Sequence, residues 1–437
     1  MTLNQRWLAR SRAAVWHPCT QMKQHETLAL VPIARGQGPW LYDFDGRRYL
    51  DAVSSWWVNL FGHAHPAIGT AIGSQLAELE HAMLAGFTHR PVIELSERLA
   101  ALAPGKLGHC FYGSDGASAV EIALKMSVHY WRNRGLPGKN GFVSVENAYH
   151  GETLGALSVT DVALFRDAYA PLLRRNIVAP SPDARLAAPG TSARDHALAA
   201  ASSLEAILAE CHATTAALIL EPLVQGAAGM AMHDPAYLAR ARELCTRHDV
   251  HLIADEIMTG FGRTGTMFAC EQAGIAPDLL CLSKGITGGY LPLSVVLTTD
   301  EIYAAFYDDD VARAFLHSHS YTGNALACRA ALAVLDLFRD QDVIAHNRDR
   351  AGRLTALAQP LAAHPKVRNF RQLGMIWAFD IDSGRTDFSR WCFAQALDRE
   401  LLLRPIGKTV YWMPPYVLDD DEMALLAERT LEIVACA

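Results

Sequence analysis

The strongest constraint on the fold is a layout that recurs along the chain: a short apolar run ends in polar residues or glycine, and a helical pattern follows. The runs are "HCFYGSDG" (109–116), "GFVSVENAYHG" (141–151), "AALILEP" (216–222), "VHLIADE" (250–256) and "DLLCLSKG" (278–285). Apolar runs of about four to eight residues are typical of strands buried on both faces, as in a mainly parallel sheet covered by helices. Strands that alternate with helices predict an α/β fold.

The length of the chain predicts more than one domain. Its 437 residues exceed what one hydrophobic core usually organises. Near residue 330 the pattern changes to a long helix and then to short strands around "MIWAFDI" and "VYWMPPY". We therefore predict a large domain over residues 61–328, with its sheet sandwiched by helices, and a smaller α/β domain over residues 329–437. The N-terminal segment, residues 1–60, is expected to join the smaller domain.

Composition and charge exclude several classes of partner. The net charge is −7 and the arginines are scattered, so no basic surface for nucleic acid or an anionic membrane is indicated. No apolar run approaches the roughly 18 residues of a membrane span, and the N-terminus lacks the apolar core of a secretory signal, so we expect a cytoplasmic protein. The nine cysteines show no C-x-x-C pair, and "HAH" and "HSH" have no further ligands nearby, so neither disulfides nor a metal site is expected.

The chemistry is expected where the buried strands end, because ligands of open α/β sheets bind beyond the carboxyl ends of the strands. One run ends in Lys284 and another in Asp255. A lysine amine that forms a Schiff base and a carboxylate that faces a ring nitrogen are what pyridoxal phosphate needs. Burial lowers the pKa of a lysine, and the neutral amine attacks an aldehyde. For Lys284 taken alone, a buried salt bridge with Asp255 is the alternative.

Two neighbouring segments favour the cofactor. The turn "GSDGAS" (113–118) precedes a helical pattern, and N–H groups at a helix start bind phosphate. An ordinary capped turn is the alternative, and the motif is neither a Walker loop nor G-x-G-x-x-G, so nucleotide binding gains no support. In "ENAYHG", Tyr149 could lie over a planar cofactor. A core tyrosine is the alternative there.

Three segments together resemble the class III, or omega-type, aminotransferases, which are fold type I pyridoxal phosphate enzymes. They are "ADEIMTGFGRTG" (254–265), "LSKGITGG" (282–289) and "HSHSYTGNALAC" (317–328), and Lys284 follows Asp255 by 29 residues. Further segments are similar to the biotin-pathway branch of that family: "WHPCTQM" (16–22), "DAVSSWWVNLFGHAHP" (51–66), "CFYGSDGASAVEIALKM" (110–126), "YHGETLGALSV" (149–159), "EPLVQGAAGM" (221–230) and "LLRPIGKTVYWMPPY" (402–416). The resemblance covers residues 16 to 416.

The resemblance implies roles at the cofactor. Lys284 would be the Schiff-base lysine and proton shuttle, and Asp255 the partner of the ring nitrogen. Tyr149 would stack on the ring. Gly116 and Ala117 would bind the phosphate through their backbone N–H groups, although Ala117 stands where a hydroxyl residue is often found.

The resemblance also implies shared sites in a homodimer. His319 and Ser320 would complete the phosphate site of the neighbouring subunit, and Ser318 beside them would contact substrate. The catalytic unit would therefore be a homodimer that acts on small molecules.

For the substrate, the resemblance implies that Arg404 holds a carboxylate while Trp56 and Trp57 wall the aliphatic chain. A guanidinium suits a carboxylate and an indole suits methylenes. Successive residues of an extended segment face opposite ways, so Trp56 is favoured over Trp57. A surface ion pair is the alternative for Arg404, and core packing is the alternative for the tryptophans. Cys19 stands where the family often has a tyrosine that lines the substrate pocket, which leaves the amino donor open.

The implied activity is transamination from S-adenosylmethionine to 8-amino-7-oxononanoate, which forms 7,8-diaminononanoate in biotin synthesis. One alternative is another class III activity, on an omega-amino acid or a diamine. A second alternative is a binding or scaffold protein that retains the fold. Intact Lys284 and Asp255 argue against the scaffold, because a scaffold needs neither.

Overall fold

The computed structural model describes residues 1–28 and 30–437. The chain forms two compact units. We call residues 1–66 with 347–437 the terminal unit and residues 67–346 the central unit. These limits differ from the domain limits expected at 60/61 and 328/329, which stay a prediction.

The helices and strands have the following bounds. The helices are α1 Leu3–Ala14, α2 Ser54–Trp57, α3 Pro66–Leu76, α4 Arg90–Leu102, α5 Gly116–Asn133, α6 Leu154–Ser158, α7 Ala163–Arg166, α8 Ala193–Cys211, α9 Pro235–Arg247, α10 Asp300–Ala304, α11 Ala325–Asp340, α12 Val343–Leu357, α13 Gln359–Ala362, α14 Phe388–Asp398 and α15 Asp420–Cys436. The strands are β1 Ile33–Gln37, β2 Trp40–Asp43, β3 Arg48–Asp51, β4 His109–Gly113, β5 Gly141–Val145, β6 Ile177–Ala179, β7 Thr215–Leu220, β8 Val224–Gln225, β9 Ala231–Met232, β10 His251–Asp255, β11 Leu279–Leu282, β12 Ser294–Thr298, β13 Val367–Leu373, β14 Ile376–Ile381, β15 Leu401–Leu402 and β16 Thr409–Trp412. Short 3₁₀ helices lie at Met22–Glu26, Asp167–Leu172, Ala184–Leu186, Ala269–Ala273, Lys284–Thr287 and Val311–Arg313.

The central unit is built on a seven-stranded sheet of order β4-β12-β11-β10-β7-β5-β6. Strand β12 is antiparallel to both neighbours, and the other pairs are parallel. Every residue of β7, β10, β11 and β12 is buried, as continuous apolar runs predict. The predicted α/β class with a mainly parallel sheet is confirmed.

Helix α5 packs one face on this sheet and starts at the turn that the sequence singled out. Asp115 caps it, because its Oδ1 accepts the Ser118 N–H at 2.9 Å. The buried face includes Ala119, Val120, Ile122, Ala123, Leu124 and Met126. Each fully buried large aliphatic side chain contributes roughly 1.5–3 kcal/mol. Packing therefore holds the start of α5 at the carboxyl end of the sheet.

The terminal unit holds two smaller sheets. In one, the order is β1-β2-β3-β15, with β15 parallel to β3; in the other, antiparallel strands run in the order β13-β14-β16. Trp377, Phe379 and Trp412, on the second of these sheets, are completely buried. Among the described residues, no helix combines the length and the apolar character that a membrane crossing needs.

We predict that His251 makes the stability of the central unit depend on pH. It is buried at the start of β10, its Nδ1 lies 2.8 Å from Ser127 Oγ, and burial lowers its pKa to about 4. A free imidazole has a pKa of about 6.5, so between pH 6.5 and 4 the unfolded chain binds a proton at this histidine more readily than the folded chain does. The free energy of unfolding is therefore highest above pH 6.5 and decreases as the pH falls towards 4.

Between pH 7.5 and pH 5 the wild type should lose about 2 kcal/mol that a His251→Gln variant does not lose. Thermal unfolding at both pH values measures this difference. The exposed His346, replaced by Gln, is the control and should behave as the wild type. Equal losses in the wild type and His251→Gln would contradict the prediction.

Candidate active site

Neighbouring parallel strands bring three ionisable side chains to one edge of the central sheet. Asp255 ends β10, Glu221 follows β7 and Lys284 follows β11. Strand β10 lies between the other two, and Asp255 is in register with Cys281 of β11. The carboxylates of Asp255 and Glu221 both act on the pKa of Lys284, so the three groups form one cluster.

Lys284 combines a strained backbone with an amine of lowered pKa. Its φ is 44°, in the left-handed region, which costs roughly 1–2 kcal/mol for a residue other than glycine. Such strain persists where surrounding structure imposes it. Burial lowers the pKa of the amine, and the carboxylates of Asp255 and Glu221 oppose this change. More of the amine is therefore neutral than in a free lysine.

Asp255 is fixed by contacts on both of its oxygens. Oδ2 lies 2.7 Å from His150 Nδ1, and Oδ1 accepts the Ile257 N–H at 3.2 Å. His150 is itself buried, and its backbone N–H donates to Thr160 Oγ1 at 3.0 Å. The sequence analysis assigned His150 no partner. His150 and Asp255 are 105 positions apart, so only the fold pairs them.

Glu221 positions the segment that carries the aromatic residue. Its carboxylate accepts the N–H groups of Tyr149 at 3.0 Å and Gly226 at 2.9 Å, and burial raises its pKa to about 7. Tyr149 is half-buried, and its hydroxyl donates to Glu152 at 2.9 Å. The sequence analysis foresaw neither of these contacts. Tyr149 is not simply a core tyrosine, because its hydroxyl reaches an exposed carboxylate.

The turn before α5 is a cradle without bulky side chains. A Cβ at Gly116 would lie 3.0 Å from Ile257 Cγ2, and one at Gly151 would lie 2.6 Å from Ala117 Cβ. Asp115 engages the Ser118 N–H, and Ser118 Oγ donates to Asp115 Oδ2 at 3.0 Å. The cap therefore holds the Ser118 hydroxyl. The N–H groups of Gly116 and Ala117 lie in the first turn, where helical N–H groups lack partners within the helix.

These groups fit pyridoxal phosphate. The cradle offers N–H groups and the positive end of a helix to a phosphate. The fixed carboxylate of Asp255 suits a protonated ring nitrogen, and Lys284 supplies an amine of lowered pKa. The packing of Gly116 against Ile257 joins the cradle to the strand end that carries Asp255.

The segment of His319 lies beside the same turn. His319 Nδ1 is 3.3 Å from Ser114 Oγ of its own chain, and the Ser320 carbonyl lies 2.8 Å from His81 Nε2. The side chains of Ser318 and Ser320 are exposed. The expectation that this segment serves a neighbouring subunit stays a prediction.

In the terminal unit, Arg404 lies against Trp56. Its guanidinium carbon is 4.6 Å from the centre of the indole, and Trp56 remains 44% exposed. Trp57 is buried, and its Nε1 donates to Tyr411 Oη at 3.1 Å. The tryptophans thus have different environments, although the choice of Trp56 as a substrate contact stays a prediction.

The backbone around the tryptophans corrects the sequence analysis. The segment was treated as extended, and that was wrong: Ser54–Trp57 (α2) is a left-handed turn with φ of 51°, 45°, 72° and 71°. The turn has no signature in the sequence, because it contains neither glycine nor asparagine, the residues that adopt positive φ most readily.

The chain is similar to known aminotransferases along nearly its whole length. The family model for aminotransferase class III matches residues 21–434. A Helicobacter pylori protein named adenosylmethionine-8-amino-7-oxononanoate aminotransferase is 45% identical over 96% of this chain and 95% of that protein. A protein of the same name from Methanocaldococcus jannaschii has a crystal structure with a TM-score of 0.92 and 34% identity, covering 99% of both chains. An omega transaminase from Pseudomonas jessenii, in complex with PMP, has a TM-score of 0.93 and 28% identity, covering 100% of this chain and 98% of that one.

We predict that Lys284 labels as an amine of lowered pKa and that Asp255 opposes this shift. In the cofactor-free protein, acetylation of Lys284 should reach half its maximum rate at a pH below the roughly 10.4 of a free lysine. Asp255→Asn should move that pH lower still, because it removes a carboxylate that favours the charged amine.

Mass spectrometry of the labelled peptides reads each lysine separately. The exposed Lys106 reports the reactivity of the reagent and should label equally in both proteins. An unchanged or higher labelling pH for Lys284 in Asp255→Asn would contradict the electrostatic assignment.

Proposed function

The chain belongs to the class III aminotransferase family, and from this premise we propose that it transfers an amino group from S-adenosylmethionine to 8-amino-7-oxononanoate. The product is 7,8-diaminononanoate, an intermediate of biotin synthesis. Enzymes of this family are aminotransferases that depend on pyridoxal phosphate, and so is this chain.

Sequence identity carries the choice of substrate. The fold does not separate the candidates, because the biotin-pathway enzyme and the omega transaminase superimpose on this chain almost equally well. Identity to proteins that bear the biotin-pathway name is clearly higher than identity to the omega transaminase. The similarity to omega transaminases keeps a second candidate, the transamination of another omega-amine.

When bound, pyridoxal phosphate supplies an electron sink for the carbon that exchanges the amino group. Gly116 and Ala117 would hold its phosphate through their N–H groups. Asp255, fixed by His150, would keep a negative charge beside the ring nitrogen, and Tyr149 would cover the ring. These residues orient and polarise, and they need not move.

Lys284 would do the chemistry that the protein itself contributes. Its Nζ is a base of the required kind, because burial lowers its pKa and favours the neutral amine. It would remove a proton from the donor carbon and return a proton to the acceptor carbon in the second half of a ping-pong cycle. The positive φ at Lys284 fixes the direction in which its side chain leaves the backbone.

Arg404 would bind the carboxylate of the acceptor. In the described part of its unit, no carboxylate lies within ion-pair distance of Arg404, and its guanidinium rests on the Trp56 ring. A guanidinium stacked by one face leaves its N–H edges available for a carboxylate. Trp56 would also contact the methylene chain of the acceptor, with Ser318 as a further substrate contact.

We further propose that the working enzyme is a cytoplasmic homodimer. His319 and Ser320 would complete the phosphate site of the neighbouring subunit. Their segment is flanked by Leu316 and Tyr321, which are 78% and 65% exposed, and a second copy would cover such side chains.

We predict that 7,8-diaminononanoate converts the bound cofactor to its pyridoxamine form. This is the reverse of the half-reaction that forms the product. Mixing the cofactor-loaded enzyme with this diamine should convert the absorbance of its pyridoxal form to that of its pyridoxamine form. S-Adenosylmethionine should do the same, as the forward donor. If only other omega-amines, such as a diamine without a carboxylate, produce the change, the second candidate function replaces the first.

We also predict that Lys284→Ala abolishes turnover, by at least about a thousandfold, because the proton then has no carrier. Lys106→Ala, at an exposed position of the same unit, is the control and should keep the wild-type rate. A Lys284→Ala enzyme with a near-normal rate would exclude the assigned role, and a wild-type protein that takes up no cofactor would revive the scaffold alternative.

A further inference from the structure

We infer that the buried Asp51 carboxylate is a positioning group for the substrate-carboxylate site at Trp56 and Arg404. It acts by holding the left-handed turn Ser54–Trp57 through the Ser55 hydroxyl. This inference rests on the proposed function, because it concerns how the acceptor is recognised.

The turn needs anchors from outside itself. Four consecutive residues other than glycine have φ between 45° and 72°, a conformation that L-residues avoid. Its backbone makes three hydrogen bonds: the Trp57 N–H donates to the Val53 carbonyl at 2.8 Å, and the Val58 and Asn59 N–H groups donate to the Ser54 carbonyl, both at 3.0 Å. Strained backbone of this kind persists only when its surroundings impose it.

Side chains of the turn provide those anchors. Ser54 Oγ donates to the Met413 carbonyl at 2.7 Å, Ser55 Oγ to Asp51 Oδ2 at 2.6 Å and Trp57 Nε1 to Tyr411 Oη at 3.1 Å. Trp56 instead presents its ring to Arg404. These three bonds therefore hold the turn on both sides of Trp56, whose ring lies against Arg404.

Asp51 is the anchor with the most connections. It is completely buried, and its oxygens also accept the Val53 N–H at 3.3 Å and lie 3.1 Å from His63 Nε2. Asn59 Nδ2 lies 3.2 Å from His63 Nδ1, a contact that suits the tautomer in which Nε2–H donates to Asp51. A carboxylate buried this deeply needs hydrogen-bond partners, and these groups supply them.

The position of Asp51 in the sheet joins the two halves of the carboxylate site. Asp51 ends β3 and pairs in register with Leu402 of the parallel strand β15. Arg404 follows Leu402 by two residues, while Ser55 ties Asp51 to the turn that displays Trp56. The backbone of Asp51 thus pairs with the strand that leads to the guanidinium, and its carboxylate holds the turn that carries the indole.

The expected consequence is selective. If the Ser55 bond is lost, the strained turn relaxes, Trp56 no longer supports Arg404, and the acceptor carboxylate is bound less well. The proton transfer at Lys284 involves none of these residues and should be little changed.

The test compares two acceptors in the cofactor-loaded enzyme: 8-amino-7-oxononanoate and its methyl ester. The ratio of their kcat/KM values reports recognition of the carboxylate alone. Ser55→Ala should lower this ratio about tenfold, through a higher KM for the acid, with kcat within about twofold of the wild type. Asp51→Asn should act in the same direction.

Two further variants make the result specific. Ser55→Gly also lacks the hydroxyl but adopts positive φ without strain, so it should recover most of the ratio. Ser192→Ala removes another serine-to-carboxylate bond of 2.6 Å, to Asp195 on the surface of the central unit, and should leave both acceptors unaffected.

The outcomes separate this inference from the proposed function. If Arg404→Met leaves the ratio unchanged, the proposed carboxylate site itself is wrong. If Arg404→Met lowers the ratio but Ser55→Ala and Asp51→Asn do not, only the positioning inference is overturned. Equal losses for acid and ester in Ser55→Ala would also overturn it, because they would indicate a general structural effect.

Discussion

The contact on which the candidate site depends is the 2.7 Å approach of His150 to Asp255, made where a completely buried strand ends. A carboxylate at that depth is tolerated only with partners. His150 supplies one, and the Ile257 N–H supplies another. With Asp255 fixed, the neighbouring strands place Glu221 and Lys284 within its electrostatic reach, so a single buried pair organises the charges of the whole strand edge.

Two of the strained backbone segments lie where chemistry or binding is proposed. Lys284 and the turn Ser54–Trp57 adopt positive φ without glycine. Each would relax if its surroundings allowed, so the fold must hold it through neighbouring contacts. In the turn, those contacts are the hydroxyl bonds of Ser54 and Ser55 and the indole bond of Trp57. Local stability is given up at positions whose geometry matters for binding.

Much of the fold could be predicted because its signals are local. Continuous apolar runs identify strands buried on both faces, and the strand order then confirms a mainly parallel sheet. The residues that end those runs, among them Lys284 and Asp255, were identified for the same reason. The extended conformation expected around Trp56 was wrong, because a left-handed turn of serine and tryptophan has no signature in the sequence.

The sequence by itself determined the buried strands of the central sheet, the family and the polar residues that end those strands, since each depends on neighbours within a few positions or on a motif. Only the tertiary structure decided that His150 meets Asp255, that Glu221 holds the Tyr149 backbone and that Asp51 holds Ser55 while its strand pairs beside the one leading to Arg404. The physical reason is that a buried group can bond only to groups that packing brings next to it, and packing brings together strand ends and turns that are far apart in the sequence. Separation along the chain does not limit that choice.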